Sequence, residues 1–228
     1  MSAHQSVPSS QMSKSAARLR EWKLATAAPL AVLIFGMLLV VDVPFERFVT
    51  SLELPPVFHD LFRAAEVFGN GFGVLAILLA VAALDTLGRG KIFRLAAGSL
   101  GAGLAANILK ITVSRARPHA LDLAAVDVAE TFGGWLPLIS AGPGGQSFPS
   151  AHTATAVGLA AGLAATYPRG RWLFAGLAVG VALQRMFLGW HFPSDVFVGA
   201  LLGIATAWLV TPDRLAKETP QHSLRRAA

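Results

Sequence analysis

Cysteine is absent from the 228-residue chain, which excludes a disulfide framework and a thiolate metal site while leaving the redox compartment open. Charge is scarce as well. Asp, Glu, Lys and Arg make up 14% of the residues against 54% hydrophobic ones, and the mean hydropathy is +0.57. A soluble domain of this length carries more polar surface than that, so composition places the chain among membrane proteins. The acidic residues Asp122, Asp127 and Glu130 are scattered without metal-ligand spacing, and no motif calls for a metal or another cofactor.

What the chain has in quantity is apolar runs of bilayer-crossing length, about 17 to 20 residues each. They fall at 24–43, 71–87, 95–113, 150–167, 172–190 and 194–210 and predict an all-α, polytopic fold of six transmembrane helices in a compact bundle. The first run follows a polar, basic stretch and lacks a small-residue cleavage site, so it is expected to be retained rather than removed as a signal peptide. A net charge of +6 suggests nucleic acid until the cations are located. Lys14, Arg18, Arg20 and Lys23 precede the first run; Arg89, Lys91 and Arg94 separate the second and third; Arg169 and Arg171 separate the fourth and fifth; Arg214, Lys217, Arg225 and Arg226 follow the sixth. With six crossings these clusters share one side, which then holds 13 of the 19 Lys and Arg residues. The positive-inside rule makes that side the cytoplasm. The expectation is an inner or plasma membrane protein with both termini cytoplasmic and no nucleic-acid partner.

Three regions follow: a flexible basic tail at 1–22, a six-helix membrane domain at 23–211, and a second flexible basic tail at 212–228. Between the first two runs, the outer segment 44–70 places Val57, Phe58, Leu61, Phe62 and Ala65 on one helical face, with His59, Asp60, Arg63 and Glu66 on the other. It is expected to lie along the outer membrane surface as an amphipathic helix, either a connector or a gate. Glu66 and Asn70 receive no role. The long outer loop 114–148, Gly/Pro-rich near Ala141–Gly145, is a candidate lid. Gly98, Gly101, Gly103, Gly158 and Gly162 predict close helix packing, within the bundle or between chains, so the oligomeric state stays open.

Three strings carry the chemistry: Lys110-x6-Arg117-Pro118, Pro149-Ser150-Ala151-His152, and Arg185-x5-His191-x3-Asp195. Each has a bland explanation alone. Lys110 and Arg117 could be snorkelling cations at a helix end, Ser150 could cap a helix, and His191 with Asp195 could be a structural i,i+4 pair. Arg185 is harder to dismiss, since an arginine inside an apolar helix needs a partner or a polar cavity. Traced from a cytoplasmic N-terminus, all three strings reach the outer end of the bundle, where cations, imidazoles and a carboxylate together suit an oxyanion.

Together, in order and spacing, the strings resemble the signature of the type-2 phosphatidic acid phosphatase and vanadium haloperoxidase superfamily, over roughly residues 70–210. The resemblance implies that His191 is a nucleophile forming a phosphohistidine and that Asp195 orients it. It further implies that His152 protonates the leaving oxygen and then activates water, while Lys110, Arg117, Ser150 and Arg185 hold the phosphoryl oxygens. Two departures stand out: Ala151 where glycine is usual, and Gln184 where serine often precedes the arginine. The implied activity is metal-independent hydrolysis, in the outer leaflet, of a lipid phosphate or diphosphate, with membrane lipids as partners and no cofactor. A phosphotransferase of the same superfamily, or a non-catalytic lipid-head-group binder or transporter, are the alternatives.

Overall fold

The computed structural model describes residues 9–85, 89–136 and 146–210. Seven α-helices run through them: α1 (Ser9–Thr50), α2 (Pro56–Glu66), α3 (Gly71–Leu84), α4 (Arg89–Lys110), α5 (Ala151–Thr166), α6 (Arg171–Phe187) and α7 (Pro193–Val210). A short antiparallel hairpin, β1 (Val113–Arg115) and β2 (Phe132–Trp135), lies between α4 and α5. The expected C-terminal tail and the loop apex Ala141–Gly145 lie outside the described residues, as do residues 1–8 of the expected N-terminal one. Helix α1 begins at Ser9, well before the first apolar run.

Local chemistry sets the helix ends. Asn70 starts α3 by accepting the Gly73 N–H at 2.7 Å, and Ser150 starts α5 by accepting that of Thr153, each meeting one of the donors that a helix start leaves unpaired. Helix α6 stops at Phe187, three residues short of its apolar run, because Gly189 adopts φ +65°, a left-handed turn suited to glycine. Among the described residues three helices are long and apolar enough to cross a bilayer: Thr26–Thr50 within α1, Gly90–Lys110 and Pro193–Val210. A fourth crossing results if α2 and α3, bent by 61°, form one broken span. The remaining helices α5 and α6 have 16 and 17 residues.

Helix α5 occupies the middle, against α4, α6 and α7. Its contact with α4 is backbone to backbone: a Cβ on Gly158 would lie 2.2 Å from the Gly98 carbonyl oxygen, so only glycine permits this approach. Around the crossing, Phe68, Val74, Leu78, Leu95, Leu159, Leu163 and Val181 form the main apolar core. Facing outward are Val32, Leu33, Met37, Leu79, Leu104, Trp172, Ile204 and Leu209, an apolar exterior that suits lipid rather than water. On α2, Phe62 packs on Phe187 while Val57, Phe58 and Leu61 are exposed.

Candidate active site

The end of α4, the hairpin, the start of α5, the end of α6 and the start of α7 meet at one end of the bundle, bringing the three strings together. Lys110 is the last residue of α4, not one turn inside it as the apolar run suggested, and its Nζ donates to the Gln146 carbonyl at 2.7 Å. Arg185 lies in the last turn of α6, nearer the helix end than the apolar run implied. Arg117 follows β1, its guanidinium carbon 4.9 Å from the centre of the Trp190 ring.

His191 lies in the turn between α6 and α7, 3% exposed. Burial pushes its imidazole down to about 4, Lys110 and Arg185 push the same way, and Asp195 pulls against them. The expected direct contact with Asp195 is looser than i,i+4 helical neighbours would make, because α7 begins only at Pro193. His191 Nδ1 stands 3.9 Å from Asp195 Oδ2, an ion-pair distance and not a hydrogen bond. Ser147 bridges the gap: its hydroxyl donates to Asp195 Oδ2 at 2.6 Å and lies 3.5 Å from His191 Nδ1. With Nδ1 on that side, Nε2 is the nitrogen left for a substrate.

Asp195 is held from several directions. Its Oδ2 also accepts the Phe192 N–H at 2.9 Å, and its Oδ1 accepts from Arg115. Arg115 is fully buried; it also donates to Asp42 Oδ2 at 2.7 Å, to Ser194 Oγ at 2.8 Å and to Thr131 Oγ1 at 3.2 Å. Its guanidinium sits between the Phe132 and Phe192 rings, 4.4 and 4.2 Å from their centres. Asp42 of α1 in turn accepts the Ser194 N–H at 2.9 Å and the Ser194 hydroxyl. A buried ionic cluster of this kind needs every partner in place.

Sequence reasoning missed Arg115, Asp42, Ser147 and Ser194. Arg115 sits inside the first string, and the signal that could have found it was a second cation in a segment already expected to leave the bilayer. Asp42, a carboxylate inside the first apolar run, carried the same signal as Arg185.

Ser150 is buried, and its hydroxyl is engaged with Thr153; what it brings to an anion is the start of α5, where the helix dipole favours negative charge. His152 follows in the first turn, its Nε2 3.5 Å from Glu66 Oε1. The same Glu66 oxygen accepts from Arg185 Nη2. Two donors of these arginines, Arg117 Nε and Arg185 Nε, are buried without a hydrogen-bond partner. Such groups are costly to leave unpaired, and an oxyanion within reach would satisfy them. A cavity of about 280 Å³ opens beside His152, lined by Gly69, Asn70, Leu100, Leu104, Asn107 and Thr155 among others. Among the described residues no group of three or more His, Cys, Asp or Glu side chains could hold a metal ion.

A lipid A 1-phosphatase of Rhizobium johnstonii is 36% identical over 107 residues, 46% of this chain and 39% of that protein. A lipid A 4'-phosphatase of Bacteroides thetaiotaomicron is 38% identical over 69 residues, 29% of this chain and 30% of that protein. The aligned parts thus span well under half the length of these curated relatives. Among solved structures, Aquifex aeolicus LpxE superimposes with a TM-score of 0.57 at 23% identity, covering 75% of this chain and 94% of that one. The phosphatidylglycerolphosphate phosphatase of Bacillus subtilis gives 0.55 at 18%, covering 83% and 97%; at these identities the likeness is one of fold. The family model described as PAP2 superfamily matches residues 91–218, more than half of the chain and all three strings, and the chain belongs to that superfamily.

Proposed function

We propose that the protein is a membrane phosphatase that hydrolyses a lipid phosphate or diphosphate through a phosphohistidine on His191. The observation that carries this reading is the pair of buried, unpartnered arginine N–H groups, Arg117 Nε and Arg185 Nε, in the same site as Lys110, His152 and His191. His191 Nε2 attacks phosphorus while His152 gives its proton to the departing oxygen. Water then attacks the phosphohistidine as His152 takes a proton back, releasing phosphate and restoring both imidazoles. Lys110, Arg117 and Arg185, with the start of α5, stabilise charge on the equatorial oxygens. Asp195, held by Arg115, orients the ring of His191 through the bridging hydroxyl of Ser147. Three fixed cations supply the charge neutralisation that a metal supplies elsewhere, so turnover is expected to persist with chelator.

The relatives that act on lipid A suggest a lipid A phosphate as the first substrate to try, and the cavity beside His152 offers room for the departing side. The cation clusters support six crossings with cytoplasmic termini and the site facing outward, and α2 as a surface helix at that outer face.

The test is phosphate release by the purified protein in detergent from a lipid A 1-phosphate, a short-chain phosphatidic acid and a polyprenyl diphosphate, with and without chelator. Release from at least one, its loss in His191→Ala, and an acid-labile phosphoryl label on wild-type protein are the expected results. Turnover by His191→Ala at the wild-type rate removes the nucleophile. Label from isotopic water in the released phosphate separates hydrolysis from transfer to another acceptor.

A further inference from the structure

Glu66 is a carboxylate in a site otherwise built for an anion. It is the last residue of α2, and its own carbonyl accepts the N–H groups of Gly69 and Asn70 at 2.9 and 3.1 Å, which fixes the bend into α3. The bend is pressed against α5: a Cβ on Gly69 would lie 2.9 Å from the His152 carbonyl oxygen and 2.7 Å from Val181 Cγ1. The chain at Gly69 therefore has no room to move closer to α5, and the Glu66 side chain reaches the site. There Oε1 meets Arg185 Nη2 and stands 3.5 Å from His152 Nε2, while Oε2 accepts from Gln184 Nε2 at 3.3 Å. Gln184, which stands where serine often precedes the arginine, thus holds the carboxylate in place.

The position of this charge has a chemical meaning. In the proposed reaction His152 Nε2 faces the leaving oxygen, so Glu66 is on the leaving-group side and not opposite His191. A phosphate monoester departs as an alcohol, neutral once His152 has given it a proton. A diphosphate attacked at its terminal phosphorus departs as a lipid phosphate, which keeps negative charge beside Glu66. Like charges at such separations repel strongly where water is partly excluded.

We propose that Glu66 is a specificity-determining residue that makes the site prefer phosphate monoesters over diphosphates. The proposal rests on the phosphatase reading above and narrows it to one substrate class. Lys110, Arg117 and Arg185 attract both substrates; Glu66 is the group that tells their leaving sides apart.

The test uses two substrates with the same tail, farnesyl phosphate and farnesyl diphosphate. Initial kcat/KM for each is measured on the full-length protein in detergent, as loss of the starting compound. Wild type is expected to favour the monophosphate. Glu66→Gln, which keeps an acceptor for Arg185 and removes the charge, is expected to shift the ratio toward the diphosphate by about tenfold or more. Glu66→Asp, retaining the charge, is expected to stay near the wild-type ratio. A wild-type preference for the diphosphate overturns the proposal whatever the variants do. So does a Glu66→Gln protein whose two rates fall in equal proportion, because a merely structural role lowers both alike. If wild type hydrolyses neither compound nor the other lipid phosphates, the phosphatase reading itself fails, a result distinct from an unchanged ratio.

Discussion

In the proposed reaction His191 is unprotonated at neutral pH, because burial holds it near 4, below the ordinary histidine value of about 6.5. The acid limb of the pH profile of kcat/KM, where it reports this group, is therefore expected below pH 6.5, and an ordinary histidine limb near 6.5 would contradict the assignment. His191→Ala is expected to lower kcat by about a thousandfold or more. Arg115 touches no substrate in this scheme but holds Asp195, Asp42, Ser194 and Thr131 at once. Arg115→Ala leaves two buried carboxylates short of a cation and is expected to cost about 3 to 5 kcal/mol of stability, read as a lower unfolding temperature in detergent. Arg115→Lys cannot reproduce the planar fork and is expected to recover only part of it. The candidate groups were legible in the sequence because each sits in a short local string, and the structure brings those strings together. Their supports were not, since Asp42 and Arg115 are 73 residues apart and nothing local joins them.

Helices α4 and α5 meet through Gly98 and Gly158, and the strings depend on that contact because Lys110 ends one helix and Ser150 begins the other. Gly158→Val is expected to force the pair apart, at about 2 kcal/mol or more, and to reduce activity with it; an unchanged melting temperature would show that the crossing relaxes freely. The small-residue pattern made this packing readable in advance. Helix ends were less so. The apolar run of α6 continues to Trp190, but hydropathy does not register that Gly189 turns the chain, nor that Asp195 and Ser147 shape the His191 turn from other segments. The hairpin was hidden for a related reason: β1 and β2 are three and four residues long, and their pairing depends on contacts outside either strand.

Across the whole molecule, the same histidine makes one contribution to the pH dependence of folding. Because the folded value of His191 is lowered, the unfolded chain binds the extra proton first. Its contribution to stability is then fully present above about pH 6.5 and is lost as pH falls toward 4, which thermal unfolding at stepped pH, compared between wild type and His191→Ala, will show. The membrane class and the gathering of the strings at one end were readable from composition and spacing, while the first apolar run contributed no residue to the expected site. Yet Asp42 ties α1 to Arg115 and Ser194, and both it and Glu66 lie outside the 91–218 stretch that the family model matches. The side chains that frame the candidate site therefore extend beyond the recognisable family segment. Two fragments parted at residues 86–88, each without activity alone, are expected to restore turnover when produced together, and Asp42→Asn in the first fragment to weaken their reassociation.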